Sequence, residues 1–186
     1  MVFVIIGNIV KFILNSLTFF FILISLPIYA VCITSQDVEI GFSPKGTAQK
    51  IVLSAITGAK KSIDLAAYSF TSKPVALALI EAKNRGVNIR LVADKKSNSG
   101  KYTAVTYLIN HHVSVRLNAK YSIMHNKFMI IDGVSVETGS FNYTQNAAFH
   151  NAENVIYFHN RLDIASQYSQ EFNRLWLESV SVQPMY

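Results

Sequence analysis

Residues Met124 to Asn142 read MHNKFMIIDGVSVETGSFN. The apolar run from Lys127 to Ile131 ends at Asp132-Gly133, which is typical of a buried strand followed by a turn. A second strand, from about Ser135 to Ser140, comes directly after the turn. The segment therefore predicts two strands joined by a turn.

Side chains suited to phosphate chemistry flank these two strands. His125 and Lys127 form a His-x-Lys pair, and Ser140 and Asn142 end a Gly-Ser-x-Asn sequence. Side chains two residues apart on a strand share a face, so each pair points one way and the turn can bring the pairs together. An imidazole can act as a nucleophile or proton carrier near neutral pH. An ammonium and an amide can hold non-bridging phosphate oxygens. The set indicates phosphodiester chemistry.

The composite H-x-K-x4-D followed by G-S-x-N resembles the signature of the phospholipase D superfamily. The matching positions are His125, Lys127, Asp132, Gly139, Ser140 and Asn142. The segment from Gly41 to Ser72 is similar to the opening of the small secreted, single-motif bacterial endonucleases of that superfamily. The GVNIRLVAD segment and the segment around Glu153 are similar to them as well, so the resemblance extends from about Val38 to the C-terminus.

This resemblance implies roles for individual residues. His125 would attack phosphorus to form a phosphohistidine, while a second motif histidine acts as general acid. Lys127 and Asn142 would hold the phosphate, and Ser140 would support them with a hydrogen bond. Glu153 matches a carboxylate that orients the catalytic imidazole in the superfamily.

Asp132 belongs to the same motif and is included among the catalytic residues. Its parity on the strand is opposite to that of His125, so a structural hydrogen-bonding role stays open for it. No cofactor or metal ion is expected, because His125 and Lys127 replace a metal in this scheme.

The number of histidines bears on the assembly. The chain has five, and the other four lie in no second His-x-Lys. Since the mechanism needs two motif histidines, we expect a twofold homodimer in which each subunit contributes one His125 to a shared active site.

The first 36 residues differ from the rest. They hold one charged residue, Lys11, and a mostly apolar run from Phe12 to Ile28. We expect residues 1–32 to be a signal peptide that sends the protein to the periplasm or the medium. A retained membrane anchor is the alternative, because the run is just long enough to span a bilayer. Cys32 is the only cysteine, which excludes a disulfide framework and a cysteine-based zinc site.

The remainder, residues 37–186, is predicted to be one catalytic domain. It carries 16 Lys and Arg against 11 Asp and Glu, which favours an anionic partner such as nucleic acid or an acidic membrane surface. An ordinary solvated surface is an equally good interpretation of this excess. The candidate substrate contacts are Lys95, Lys96, Lys101 and Lys120. None of them suggests recognition of a base sequence.

Elsewhere in the domain, predicted strands alternate with predicted helices. The strands are Val38–Phe42, Ser62–Ser69, Val87–Ala93, Val113–Leu117 and Glu153–Phe158. The helices are Pro44–Gly58, a segment capped by Ser72 and ended by Gly86, Tyr102–Asn110, and a C-terminal helix. This alternation predicts a single α/β domain with a mixed β-sheet flanked by helices.

Three functions fit these observations. The first is a secreted endonuclease that needs no metal and cuts DNA, and RNA as a second substrate, with little sequence preference. The second is a phospholipase D that hydrolyses phosphatidylcholine or a related phospholipid to phosphatidic acid. Both substrates are phosphodiesters, so the surroundings of the catalytic centre must distinguish them. The third is a binding protein without activity, which the complete motif disfavours.

Overall fold

The structure is a computed structural model that describes residues 37–44, 46–100 and 103–184. The predicted signal peptide or anchor, residues 1–32, lies outside the described residues, and so does Lys101. Among the residues that are described, no helix is long and apolar enough to cross a membrane.

The described residues form one mixed sheet of eight strands, in the order β1-β7-β6-β5-β2-β3-β4-β8. The strands are β1 Val38–Ser43, β2 Ser62–Ala67, β3 Asn88–Asp94, β4 Ser114–Asn118, β5 Lys127–Ile131, β6 Ser135–Gly139, β7 Glu153–Phe158 and β8 Val180–Ser181. β2, β3 and β4 are parallel neighbours. The other neighbouring strands are antiparallel.

Six helices connect the strands within the described ranges. They are α1 Thr47–Gly58, α2 Lys73–Asn84, α3 Lys95–Asn98, α4 Ala104–Asn110, α5 Gln145–Phe149 and α6 Leu162–Leu177. The predicted cap of α2 is confirmed, because the Ser72 hydroxyl accepts a hydrogen bond from the backbone N–H of Val75.

Both faces of the sheet are covered, which requires strands that are apolar on both sides. On one face, Ile63 and Leu65 of β2 pack with buried residues of α1, α2 and α4. On the other face, Ala66 of β2 packs in a cluster with Phe172 and Leu175 of α6. The predicted α/β domain with a mixed, helix-flanked sheet is confirmed.

The hairpin of β5 and β6 forms where the sequence predicts it, with β5 spanning Lys127–Ile131. Asp132 and Gly133 both have positive φ, 55° and 73°. The backbone N–H of Val134 donates to the carbonyl of Ile131, as in the type I′ turns that suit hairpins.

Three short elements were not predicted, α3, α5 and β8. Helix α3 occupies part of the expected loop KKSNSGK.

Strand β6 carries a buried acidic side chain. Glu137 of β6 is 1% exposed, and its carboxyl group accepts a hydrogen bond of 2.8 Å from the Tyr143 hydroxyl. Burial raises the pKa of Glu137 to about 8, although the hydrogen bond from Tyr143 opposes the shift. The folded protein therefore holds this proton at pH values where the unfolded chain releases it.

This difference predicts a pH dependence of stability. Because the folded pKa is raised, the protein loses stability as pH rises from about 4.5 to about 8. Glutamine does not ionise, so we expect the free energy of unfolding of Glu137→Gln to fall less than that of wild type between pH 5 and pH 8. The expected difference between the two proteins is on the order of 3 kcal/mol. Urea unfolding at the two pH values measures it, with Glu81→Gln on the exposed face of α2 as control. Equal pH dependence in wild type and Glu137→Gln would contradict the assignment.

Candidate active site

Most of the motif residues lie at one end of the sheet, Asp132 excepted. His125 precedes β5 and Lys127 begins it, Ser140 follows the end of β6, and Glu153 begins β7. Because β6 is antiparallel to both β5 and β7, these strand ends lie side by side. The hairpin thus brings His125, Lys127 and Ser140 to the same end of the sheet.

His125 and Lys127 form the centre of the group. The Lys127 ammonium donates to the backbone carbonyl of His125 at 2.7 Å and lies 3.1 Å from the ring nitrogen Nδ1. Lys127 is 7% exposed, whereas His125 is open to solvent. Burial lowers the pKa of the Lys127 ammonium, and the negative charge of Glu153 opposes that shift. The arrangement places a buried cation beside an accessible imidazole.

Tyr68, directly after β2, adds an aromatic wall. Its ring centroid lies 4.5 Å from that of the His125 imidazole, and the Lys127 ammonium lies 5.4 Å from the Tyr68 centroid. This distance is within the range of a cation–π interaction. Tyr68 therefore touches both members of the His-x-Lys pair.

Ser140 and Glu153 form a second group beside the first. The Ser140 hydroxyl donates to Glu153 at 2.6 Å and accepts from the backbone N–H of Asn154 at 3.0 Å. Asn151 donates to the other oxygen of Glu153 at 2.9 Å. Within the described residues Glu153 makes no hydrogen bond to His125, and its carboxylate holds Ser140. Its expected role in orienting the imidazole stays a prediction.

Gly139 permits this close packing of β6 and β7. A Cβ atom at this position would lie 2.2 Å from the carbonyl oxygen of Asn154. No side chain fits in that space, so the glycine of Gly-Ser-x-Asn is required by the approach of the two backbones.

Asn142 lies two residues after Ser140. Its side-chain oxygen is buried and has no hydrogen-bond partner among the described residues. An unpaired buried polar atom costs roughly 1–3 kcal/mol, so it requires an explanation, and a functional role is one of those that proteins use.

Asp132 lies at the opposite end of β5, roughly 17 Å of extended chain from Lys127 at about 3.3 Å per residue. Its carboxylate accepts from the backbone N–H groups of Lys60, Lys61 and Ser62. Burial alone raises the pKa of this carboxyl, but the three donors outweigh it and hold the pKa below its usual value. The inclusion of Asp132 among the catalytic residues was wrong, because its carboxylate closes the far end of the hairpin.

The candidate lysine contacts divide into two groups. Lys95 and Lys96 are exposed on α3, at the end of β3 and at the same end of the sheet as His125. Lys120 forms an ion pair of 2.7 Å with Glu178, so a phosphate would have to compete with that carboxylate. The first pair suits a substrate contact better than Lys120 does.

A cleft of about 340 Å³ opens beside His125. Helix α6 lines one side of it with Gln167, Tyr168 and Glu171, and Asn126 donates to Glu171 at 3.3 Å. These residues were not among the predicted site residues, although the spacing of Gln167 and Glu171 places them on one helical face. In the described part of the chain, no three His, Cys, Asp or Glu side chains are grouped so that they could hold a metal ion.

Comparison with known proteins agrees with the geometry. Residues 52–176 match a family model described as "Cardiolipin synthase, PLD-like domain". A phospholipase D of Rickettsia prowazekii is 32% identical over 161 residues, which cover 86% of this chain and 78% of that protein. A mitochondrial cardiolipin hydrolase of Xenopus tropicalis is 34% identical over 120 residues, 64% of this chain and 57% of that protein.

A solved structure is similar over most of the domain. Nuc from Salmonella typhimurium, described as a phospholipase D family member, superimposes with a TM-score of 0.77 at 38% sequence identity. The match covers 78% of this chain and 97% of Nuc.

Proposed function

The chain belongs to the phospholipase D superfamily and is a phosphodiester hydrolase, and we propose that it is an endonuclease that needs no metal and has little sequence specificity. Its main substrate is DNA, with RNA as a second substrate. The proposal includes export from the cytoplasm through residues 1–32.

The observation that carries the choice of substrate is the position of Lys95 and Lys96. Asp94, which caps α3, also accepts a hydrogen bond from the backbone N–H of Met124, next to His125. This bond joins the start of α3 to the segment of His125, so the two exposed lysines lie at the same end of the sheet as the imidazole and can contact phosphates that flank the scissile one. The similarity to Nuc over 97% of its length supports the same choice.

In the proposed reaction His125 attacks phosphorus, and the bond from phosphorus to the leaving oxygen breaks as the phosphohistidine forms. A second His125, from another copy of the chain, gives its proton to that oxygen. It then takes a proton from the water that releases the product. Lys127 and the Asn142 amide stabilise the charge on the non-bridging oxygens, and Ser140, held by Glu153, supports them.

An exposed apolar strip supports the proposed dimer. Ile40 and Phe42 of the edge strand β1 are each 60% exposed. Phe42 pairs with Asn154 of β7, whose backbone bonds to Ser140. The strip therefore adjoins the site that a second His125 has to reach.

Phospholipid is the second candidate substrate. Ile123, two residues before His125, is 45% exposed, and an apolar side chain there could enter a lipid surface. The relatives named phospholipase D and cardiolipin hydrolase favour this alternative.

An assay of plasmid DNA beside phosphatidylcholine vesicles distinguishes the two. We expect plasmid cleavage that persists in excess EDTA and falls by about 10³-fold or more in His125→Ala, because the nucleophile is lost. His111→Ala, an exposed histidine after α4, is the matched control and should retain activity. Release of choline without plasmid cleavage would favour the lipid alternative. Full activity of His125→Ala, or complete inhibition by EDTA, would refute the mechanism.

The dimer has its own test. Phe42→Glu places a charge in the apolar strip, so we expect light scattering to show one chain mass instead of two, together with a loss of plasmid cleavage. The control is Val180→Glu on β8, at the other edge of the sheet, where Val180 is 71% exposed. A wild-type protein that is monomeric and fully active at assay concentration would contradict the shared site.

A further inference from the structure

Two buried polar residues lie at the two ends of the short helix α3, which follows β3. Asp94 and Asn98 are each 2% exposed, and neither belongs to the phosphodiesterase motif. Buried polar groups are kept when they are fully hydrogen-bonded, and such networks rigidify what they contact. The groups that are hydrogen-bonded to Asp94 and Asn98 therefore indicate which segments these two residues hold in place.

Asp94 bonds to the segment that carries the nucleophile. One carboxylate oxygen accepts from the backbone N–H of Ser97 at 2.8 Å and caps α3. The other accepts from the backbone N–H of Met124 at 2.9 Å. Met124 directly precedes His125, and its side chain is buried in the core beside α6. Between Asn118 and Lys127 the chain has no helix or strand, so this bond fixes an otherwise irregular segment.

Asn98 bonds to the segment that carries the aromatic wall. Its amide nitrogen donates to the carbonyl of Tyr68 at 2.6 Å and to that of Asp94 at 2.8 Å. Its amide oxygen accepts from the backbone N–H of Phe70 at 3.0 Å. The amide thus uses both donors and its acceptor, and two of these bonds hold the Tyr68–Phe70 backbone.

We propose that Asp94 and Asn98 are positioning residues for the reacting imidazole. Asp94 holds the backbone beside His125, and Asn98 holds Tyr68, whose ring contacts the imidazole at 4.5 Å between centroids. Two further contacts restrain the same segment, from Lys127 to the His125 carbonyl and from Asn126 to Glu171. The inference rests on His125 as the reacting group of the proposed function, and it does not depend on the natural substrate.

The substitution Asp94→Ser separates capping from positioning. Serine is a good N-cap, so its hydroxyl can still accept from Ser97, but one short oxygen cannot also reach Met124. The matched control is Asp132→Ser, the same chemical change in a carboxylate that holds backbone N–H groups at the far end of the sheet. Asp132 has a positive φ of 55°, which serine adopts no more readily than aspartate does. The control variant should therefore lose at least as much stability as Asp94→Ser.

Steady-state hydrolysis of bis(p-nitrophenyl) phosphate by full-length protein provides the readout. We expect Asp94→Ser to lower kcat by about 10²-fold with KM within about twofold, because misplacement affects the transition state more than binding. Asp132→Ser should keep its kcat within about twofold of wild type. A wild-type kcat in Asp94→Ser, or an equal loss of kcat in both variants, would overturn the proposal.

Tyr68 supplies a second, independent readout. Tyr68→Leu removes the ring and should lower kcat, while Tyr68→Phe keeps the ring and should restore it. A wild-type kcat in Tyr68→Leu would overturn the part assigned to Asn98. His125→Ala, assayed alongside, must be inactive; if it retains activity, the proposed function fails. If it is inactive while Asp94→Ser is as active as wild type, only the positioning inference fails.

Discussion

The register of the β5–β6 hairpin is the constraint on which the rest of the site depends. Side chains alternate between the faces of a strand, so a slip of one residue would send each of them to the opposite face. The turn at Asp132-Gly133 closes the hairpin, and the pairing of Phe128 with Thr138 and of Ile131 with Ser135 sets its register. That register places Lys127 and Ser140 at the open end, next to β7.

Much of the hairpin and of the candidate site could be predicted from the local sequence. β5 and β7 begin and end where the sequence predicts them, because an apolar run bounded by turn residues identifies a central strand. The candidate phosphate-binding side chains also follow from residue type and spacing, which place His125 beside Lys127 and Ser140 near Asn142.

Long-range contacts could not be predicted. Sequence spacing does not show at which end of β5 the site lies, so Asp132 was wrongly included among the catalytic residues. The partner of the Glu153 carboxylate is set by how tightly β6 and β7 approach, which depends on Gly139. Asp94 and Glu171 contact the segment around His125 from positions 30 and 45 residues away in the chain, and no local sequence pattern records such contacts.

In the proposed reaction His125 is the nucleophile of a two-step displacement, and the stereochemical course at phosphorus tests that claim most directly. Each in-line displacement inverts the phosphorus centre, so two of them give net retention, whether or not the intermediate accumulates. The measurement is hydrolysis of a phosphorothioate diester of known configuration in isotopically labelled water. Retention is the predicted result, and inversion would show that water attacks directly and that no phosphohistidine forms.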